Sequence, residues 1–402
     1  MTSGSWVVQP LGQIARLERG KFSARPRNDP RYFGGQIPFV QTGDVRSSDG
    51  WIVRFSSTLN DRGAAVSKIF PKGTLLMTIA ANIGDVGVTS FECAAPDSLI
   101  AVHPLRGVDK RWLYYALLAR KSDLESVATN NTQLNINLEK LNPFQILVPP
   151  EAEQRAIAED LSDADRLITG LERLLAKKRA IKKGMMQKLL TGRTRLPVFS
   201  GEWTVRRIGT FADVRAGGTP STSVSRYWGG QVRWMSSGEI HQKRVREVLG
   251  RITPDGLRES AAQLLPVGTV LMALAGQGKT RGTVAVSEVE LSTNQSIAGI
   301  LPGTEHDSEF LYHNLGTRYE ELRGESAGDG GRGGLNLTII KRLSVNMPSL
   351  TEQRAIAAVL RDTDANIDAI ERRLEATRAI KQGMMQELLT GRTRLTPTEM
   401  SE

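Results

Sequence analysis

Two stretches of the chain carry its strongest hydrophobic periodicity. Apolar positions run Ile157, Leu161, Ala164, Ile168, Leu171 and Leu175, a 4-3-4-3-4 spacing, and a second copy runs Ile356, Leu360, Thr363, Ile367, Ile370 and Leu374. That spacing predicts a two-stranded coiled-coil seam more than the wider stripe of a globular helix. Pro149-Pro150 and Pro348 stand just before the helices, Ser349-Leu350-Thr351-Glu352 has the capping-box pattern, and Gly192 and Gly391 stop them. Lys178 and Lys182 interrupt the first seam, which resumes in another phase at Ile181, Met185 and Leu189. About forty residues at 1.5 Å each make a rod of roughly 60 Å. Elsewhere, turn residues punctuate short strand-like runs such as 74–80 and 270–274, and helical patterns fall near 110–120 and 308–315. The expected fold is α+β: two β-rich mixed domains, each followed by a long helix.

The chain is written twice. Residues 153–196 return as 352–395 with 29 of 44 positions identical. The rest of each half matches weakly but in order. Trp6 answers Trp203, 32–36 answers 227–231, 73–77 answers 268–272, Leu113-Tyr114 answers Leu311-Tyr312, and Leu134-Asn135 answers Leu335-Asn336. The drifting offset is what loop insertions produce. The expected organisation is a first domain at 1–148, a helix at 149–196, a second domain at 197–347, a helix at 348–395 and a tail at 396–402.

Packing accounts for matching seam residues but not for Gln154, Arg155, Arg179, Lys182, Gln187, Arg193 and Arg195, several of which must face away from the seam. A recent duplication would have kept the globular halves alike as well. The helices are therefore held to one common task and the globular domains to two different ones. The simplest common task is to offer the same surface, built from these seven residues, to two copies of one partner.

Composition narrows the classes. The chain has 402 residues, 53 Lys+Arg against 43 Asp+Glu, and a net charge of +10, a balance that permits a polyanionic partner. A single cysteine, Cys93, excludes a disulfide framework or a cysteine-built zinc site and suits the cytoplasm. No apolar run approaches membrane-spanning length, and the N-terminus lacks a signal-peptide pattern.

The order domain–helix–domain–helix, the proline-led EQRAIA helix starts, the helix ends KGMMQKLLTGR (183–193) and QGMMQELLTGR (382–392), and the loop RAGGTPSTSVSRYWGGQVRW (215–234) resemble the specificity subunit of type I restriction-modification enzymes. The match covers essentially the whole chain. The resemblance implies that each globular part is a target-recognition domain reading half of a bipartite site on double-stranded DNA. It implies that the helices pair antiparallel, with pseudo-two-fold symmetry, and set the gap between half-sites. Two methyltransferase subunits and motor-nuclease restriction subunits would be the partners. S-adenosylmethionine, ATP and Mg would be bound by those partners and no cofactor by this chain. A coiled-coil scaffold whose domains bind protein or a small ligand is the alternative reading.

No active site emerges from the residues. Ala273–Thr280 nearly spells a phosphate-binding loop, but its first glycine is replaced and a strand pattern follows where a helix should open. Leu141-Asn142-Pro143-Phe144 reads as a strand-edge turn, and His103, His241, His306 and His313 have no metal-ligand spacing. The chain is expected to be non-catalytic by itself. DNA-contact candidates are polar and basic loop residues, because Arg pairs bidentately with guanine and Gln or Asn with adenine. In the first domain they are Arg25, Arg27, Arg31, Tyr32, Gln41, Thr42, Asp44 and Arg46. In the second they are Thr219, Ser221, Ser223, Arg226, Tyr227, Ser236, Ser237 and Glu239, with Gln277, Lys279, Thr280 and Arg281 at a hairpin tip. The Gly34-Gly35 and Gly229-Gly230 pairs are expected to serve turns. The basic run Lys177, Lys178, Arg179, Lys182, Lys183 suits the helix dipole, DNA phosphates or an acidic partner equally.

If the helices set the spacing, adding four residues to each should lengthen the rod by about 6 Å, near two base-pair steps. Enrichment sequencing of the bound site should then show a wider gap between unchanged half-sites. An unchanged gap would assign the spacing to something else.

Overall fold

The computed structural model describes residues 5–130, 134–276, 280–325 and 334–395. The chain divides into two compact units, residues 1–172 with 373–402, and residues 173–372. The long helices are α1 (Glu151–Leu189) and α2 (Leu350–Leu388), each unbroken. This partition differs from the one expected at the helix ends, because each helix gives its two halves to different units.

The reason lies in the seam residues. Ile157 and Leu161 belong to the core of the first domain with Trp112, Leu113 and Ile100, and Leu388 from the end of α2 joins that same core. In the second unit Ile356 and Leu360 lie in one core with Phe310, Leu311 and Val270, together with Leu189 and Leu190. The first turns of each helix are thus domain core as well as helix seam. Leu171, Leu175, Ile367 and Leu374 are also buried, whereas Ile168 and Ile370 are half-buried. The shifted phase ends as expected at buried Leu189, but Ile181 is exposed.

Each unit is built on the same five-stranded sheet. In the first, β1 (Ala15–Arg19), β2 (Trp51–Ile52), β3 (Leu75–Thr78), β4 (Val86–Thr89) and β5 (Leu99–Pro104) lie in the order β1-β5-β3-β4-β2. In the second, β6 (Val214–Ala216), β7 (Arg244–Val245), β8 (Val270–Ala273), β9 (Val284–Ser287) and β10 (Ile297–Ile300) lie in the order β6-β10-β8-β9-β7. All pairings are antiparallel except the short edge strands β2 and β7, which run parallel to β4 and β9. The central strands are apolar on both faces because each face is covered, which is why they read as continuous hydrophobic runs. A second small sheet in each unit contains the paired glycines. They do not make a turn. Gly34 (φ 82°) lies in strand Phe33–Phe39 at a register shift, and a Cβ on Gly35 would approach the Leu59 carbonyl oxygen to 2.4 Å. Gly229 (φ 78°) and Gly230 repeat this against Ile252 and Thr253. A bulge with close backbone approach is what excludes a side chain here.

Within each unit the two helix halves run antiparallel, joined by ion pairs whose numbers rise in one helix as they fall in the other. The first unit has Glu172–Arg378 (2.5 Å) and Asp165–Lys381 (2.5 Å); the second has Glu371–Arg179 (2.5 Å) and Asp364–Lys182. Beyond the helix end, Arg394 makes a two-pronged pair with Glu153 (2.8 Å each) and lies over the Trp6 ring, whose indole N–H donates to Glu153 at 2.9 Å. The second unit repeats the clamp with Arg195 on Glu352 (2.5 and 2.6 Å) and over Trp203. Glu352 therefore does not complete the capping box. Its backbone N–H reaches Ser349 Oγ at 3.3 Å, but its carboxylate is given to Arg195.

Burial works to raise Glu153, but the hydrogen bonds from Arg394, Trp6 and the Leu395 N–H outweigh it and hold the carboxyl below its ordinary value. A carboxyl lowered in the folded state contributes stability that is present above its unfolded pKa of about 4.3 and lost as pH falls through the folded value. Glu153→Gln should cost about 1–3 kcal/mol at pH 7. Denaturant melts of both proteins should converge as pH falls below the carboxylate range; a gap independent of pH would show that the charge of Glu153 does not matter.

Candidate nucleic-acid interface

Every sequence candidate in the first unit lies on two neighbouring pieces of chain. The first is the loop ending in the short helix Pro30–Tyr32, and the second is the turn opening helix Thr42–Arg46. A cleft lined by Phe22, Arg27, Asn28, Gln41, Thr42 and Ser98 brings Arg27, Gln41 and Thr42 together. Arg27 also pairs with Asp97 at 2.8 Å. Arg46 faces a different cleft, beside Asp49, and donates to Asn82 at 3.2 Å. Arg25 spends one guanidinium nitrogen on the Phe22 and Ala24 carbonyls.

Three candidates in this group are held by the fold. Arg31 grips Asp29 at 2.6 Å, and that hydrogen bond keeps the Asp29 carboxyl below its ordinary value. Tyr32 is half-buried with its ring edge-on to Phe22. Asp44 accepts the Gln41 backbone N–H (2.8 Å) and the Ser56 hydroxyl (3.1 Å), closing a capping box at the start of its helix.

The second unit repeats this division. Ser221 and Ser223 hydrogen-bond one another at 2.8 Å, and Thr219 pairs with Gln295 at 2.5 Å, all on the exposed loop. Tyr227 is buried and donates to Glu259 at 2.7 Å, and that bond, then Arg226, keeps Glu259 below its ordinary value. Glu239 accepts the Ser236 N–H (3.0 Å) and the Leu249 N–H (2.9 Å), so Ser236 and Glu239 build the same capping box as Gln41 and Asp44, with Ser237 half-buried in its first turn. Asp44, Glu239 and Tyr227 are therefore turn-builders: their polar atoms are spent on backbone and neighbours. Thr280 lies 3.5 Å from His241, and Arg281 is half-buried. Gln277 and Lys279 lie outside the described residues. No helix opens after the near phosphate-binding loop; strand β9 follows it instead.

The residues expected to dock a partner divide as well. Gln154 is buried, accepts the Asp109 N–H at 2.8 Å and donates to the Pro149 carbonyl at 2.9 Å, and Gln353 does the same with Asp307 and Pro348. Lys182, Arg179 and Arg195 are the internal ion pairs already described. The repeat of these four residues needs no outside partner, because each copy does one internal job. Arg155, Gln187 and Arg193 are exposed. What sequence reasoning missed is the clamp itself, whose signal was present in the matched Trp6 and Trp203 and the twice-written TGRTRL.

Comparison with known proteins settles the family. The model of the type I restriction modification DNA specificity domain matches this chain twice, over residues 4–182 and 200–377. The chain belongs to this family. A type I restriction enzyme specificity subunit of Methanocaldococcus jannaschii, MjaVIII, is 22% identical over 97% of the chain and 93% of its own length. Another from that organism, MjaIX, is 29% identical over 163 residues, which is 37% of that relative's length. The fold is that of the specificity subunit crystal structure from M. genitalium (TM-score 0.65, 16% identity, 96% of each chain) and of the HsdS subunit from Thermoanaerobacter tengcongensis (TM-score 0.51, 16% identity, 97% of each). The two matched segments each contain one five-stranded sheet and the first half or more of the following long helix. Among the described residues no helix is long and apolar enough to cross a membrane, and no group of three metal-binding side chains gathers.

The division into turn-builders and free candidates is testable on the isolated chain. Glu239→Ala should lower stability by about 0.5–2 kcal/mol, the usual cost of losing a cap. Arg226→Ala, which removes an exposed ion pair, should leave the denaturation midpoint unchanged. Equal behaviour of the two variants would remove Glu239 from the scaffold.

Proposed function

We propose that this protein chooses the DNA site of a type I restriction-modification complex. Each domain reads one half of a bipartite duplex site, and methyltransferase and motor-nuclease subunits assemble on the chain to act there. Those partners hold S-adenosylmethionine, ATP and Mg; this chain contributes recognition and no reacting group. Exposed Arg155, Gln187 and Arg193 are the repeated residues left for partner docking.

One observation carries the reading. The scaffold is repeated in sheet order, capping box and clamp, while the loops it presents differ. The first unit offers Arg25 and Arg27 where the second offers Thr219, Ser221 and Ser223. One fold displaying two dissimilar polar loops is what recognition of two unlike half-sites requires.

The test is enrichment of random duplex by the purified chain with its methyltransferase. Two short specific blocks separated by fixed unspecified bases are expected, with affinity falling at a log–log slope of about −0.9 per phosphate contact as salt rises. Absence of enrichment at low salt would favour a protein-binding scaffold instead.

A further inference from the structure

The two units carry one equivalent cleft, and its lining is more basic in the second. In the first unit its charged lining is Arg46, Asp49, Asp85, Asp165, Glu172, Arg378 and Lys381, with Gly50 beside them. In the second it is lined by Lys243, Asp364, Glu371, Arg179, Lys182 and Lys183, among others. The helix residues correspond pair by pair, and in both units they neutralise one another: Arg378–Glu172 and Lys381–Asp165 against Arg179–Glu371 and Lys182–Asp364.

Two lysines of the second cleft have no cation at the equivalent positions of the first. Lys183 stands where the other helix has Gln382. Lys243 stands where the first unit has Gly50. The correspondence is structural: the Gly50 carbonyl accepts the Val88 N–H at 2.8 Å, and the Lys243 carbonyl accepts the equivalent Val286 N–H at 2.8 Å. Both residues hold positive φ, 88° at Gly50 and 63° at Lys243. Glycine adopts that conformation freely, whereas a lysine there is strained, and strain persisting at one residue points to function. Lys243 is exposed, and neither its side chain nor that of Lys183 has an ion pair among the described residues.

We propose that the second-unit cleft seats a backbone phosphate of duplex DNA between Lys183 and Lys243, a lysine pair that the first unit lacks. The inference rests on the DNA-binding reading above. The cleft adjoins the candidate interface along the chain. Lys243 directly follows the short helix Ser237–Gln242, which opens at the candidates Ser236 and Ser237 and carries His241 beside Thr280. A lysine ammonium is a compact point charge suited to a phosphate oxygen, and the helix pairs beside it are already neutralised, so the two lysines supply the cleft's excess charge.

The test gives the second unit the first unit's residues in the full chain, as Lys243→Gly and Lys183→Gln, with Lys177→Ala as an exposed helix lysine outside the cleft. Affinity for a motif duplex and an unrelated duplex is measured across salt concentrations. Each cleft variant should reduce the log–log slope by about 0.9 on both duplexes, and the double variant by about twice that, while Lys177→Ala leaves it unchanged. The Lys243→Gly chain should melt no lower than wild type, which separates lost contact from lost fold. Binding with unaltered slopes would overturn the cleft and leave the proposed function standing. So would a slope lowered equally by Lys177→Ala, or variants that lose methyltransferase and not DNA. A wild-type chain with no affinity for any duplex would overturn both.

Discussion

The structure depends on a buried carboxylate at the start of each long helix. Glu153 and Glu352 are almost fully buried, and a carboxylate out of water must be paired and hydrogen-bonded or it costs several kcal/mol. Arg394 and Arg195 meet that demand with two-pronged hydrogen bonds. Each arginine comes from just past the end of the other helix and also covers the tryptophan at the start of the adjacent domain. Three distant pieces of chain are thereby fixed at one point in each unit. Gly391 and Gly192, at φ 72°, turn the chain out of the helix against those same tryptophan rings, so the helix end is shaped for the clamp as well.

The doubling is close without being perfect, and its departures are physical. Trp6 donates to Glu153, whereas the Trp203 indole N–H has no hydrogen-bond partner among the described residues. Tyr115 donates to Asp165 at 2.6 Å, and the residue in its place is His313, whose Nε2 stops 3.9 Å from Asp364. Burial, and then Lys182, push that imidazole down to about 4, so it stays neutral near pH 7. Asp165 and Asp364 nonetheless keep their pairs with Lys381 and Lys182 across this exchange.

A scaffold held this way frees the loops. The capping boxes at Gln41–Asp44 and Ser236–Glu239 satisfy backbone donors locally, so neighbouring polar residues are left to meet a ligand. Two domains can then diverge in what they present while the strands, caps and clamps beneath them stay alike. This is the structural form of the contrast between near-identical helices and dissimilar domains.

Periodicity and repetition along the chain were enough for the α+β class, the two long helices and the central strands, and the resemblance of its motifs for the family, because helix seams and short motifs are local patterns. They were not enough to assign roles to the matched polar residues. Gln154, Lys182 and Arg195 look alike in sequence whether they face a partner or a neighbouring segment, and the segments they meet are 45 to 182 residues away. Asp44 and Glu239 likewise read as groove-contacting side chains until their backbone partners are seen. Lys243 is an ordinary surface lysine in one dimension and a left-handed residue in three. Which polar group is spent inside the fold and which is left for DNA depends on desolvation and on contacts between distant residues, and only the tertiary structure decides those.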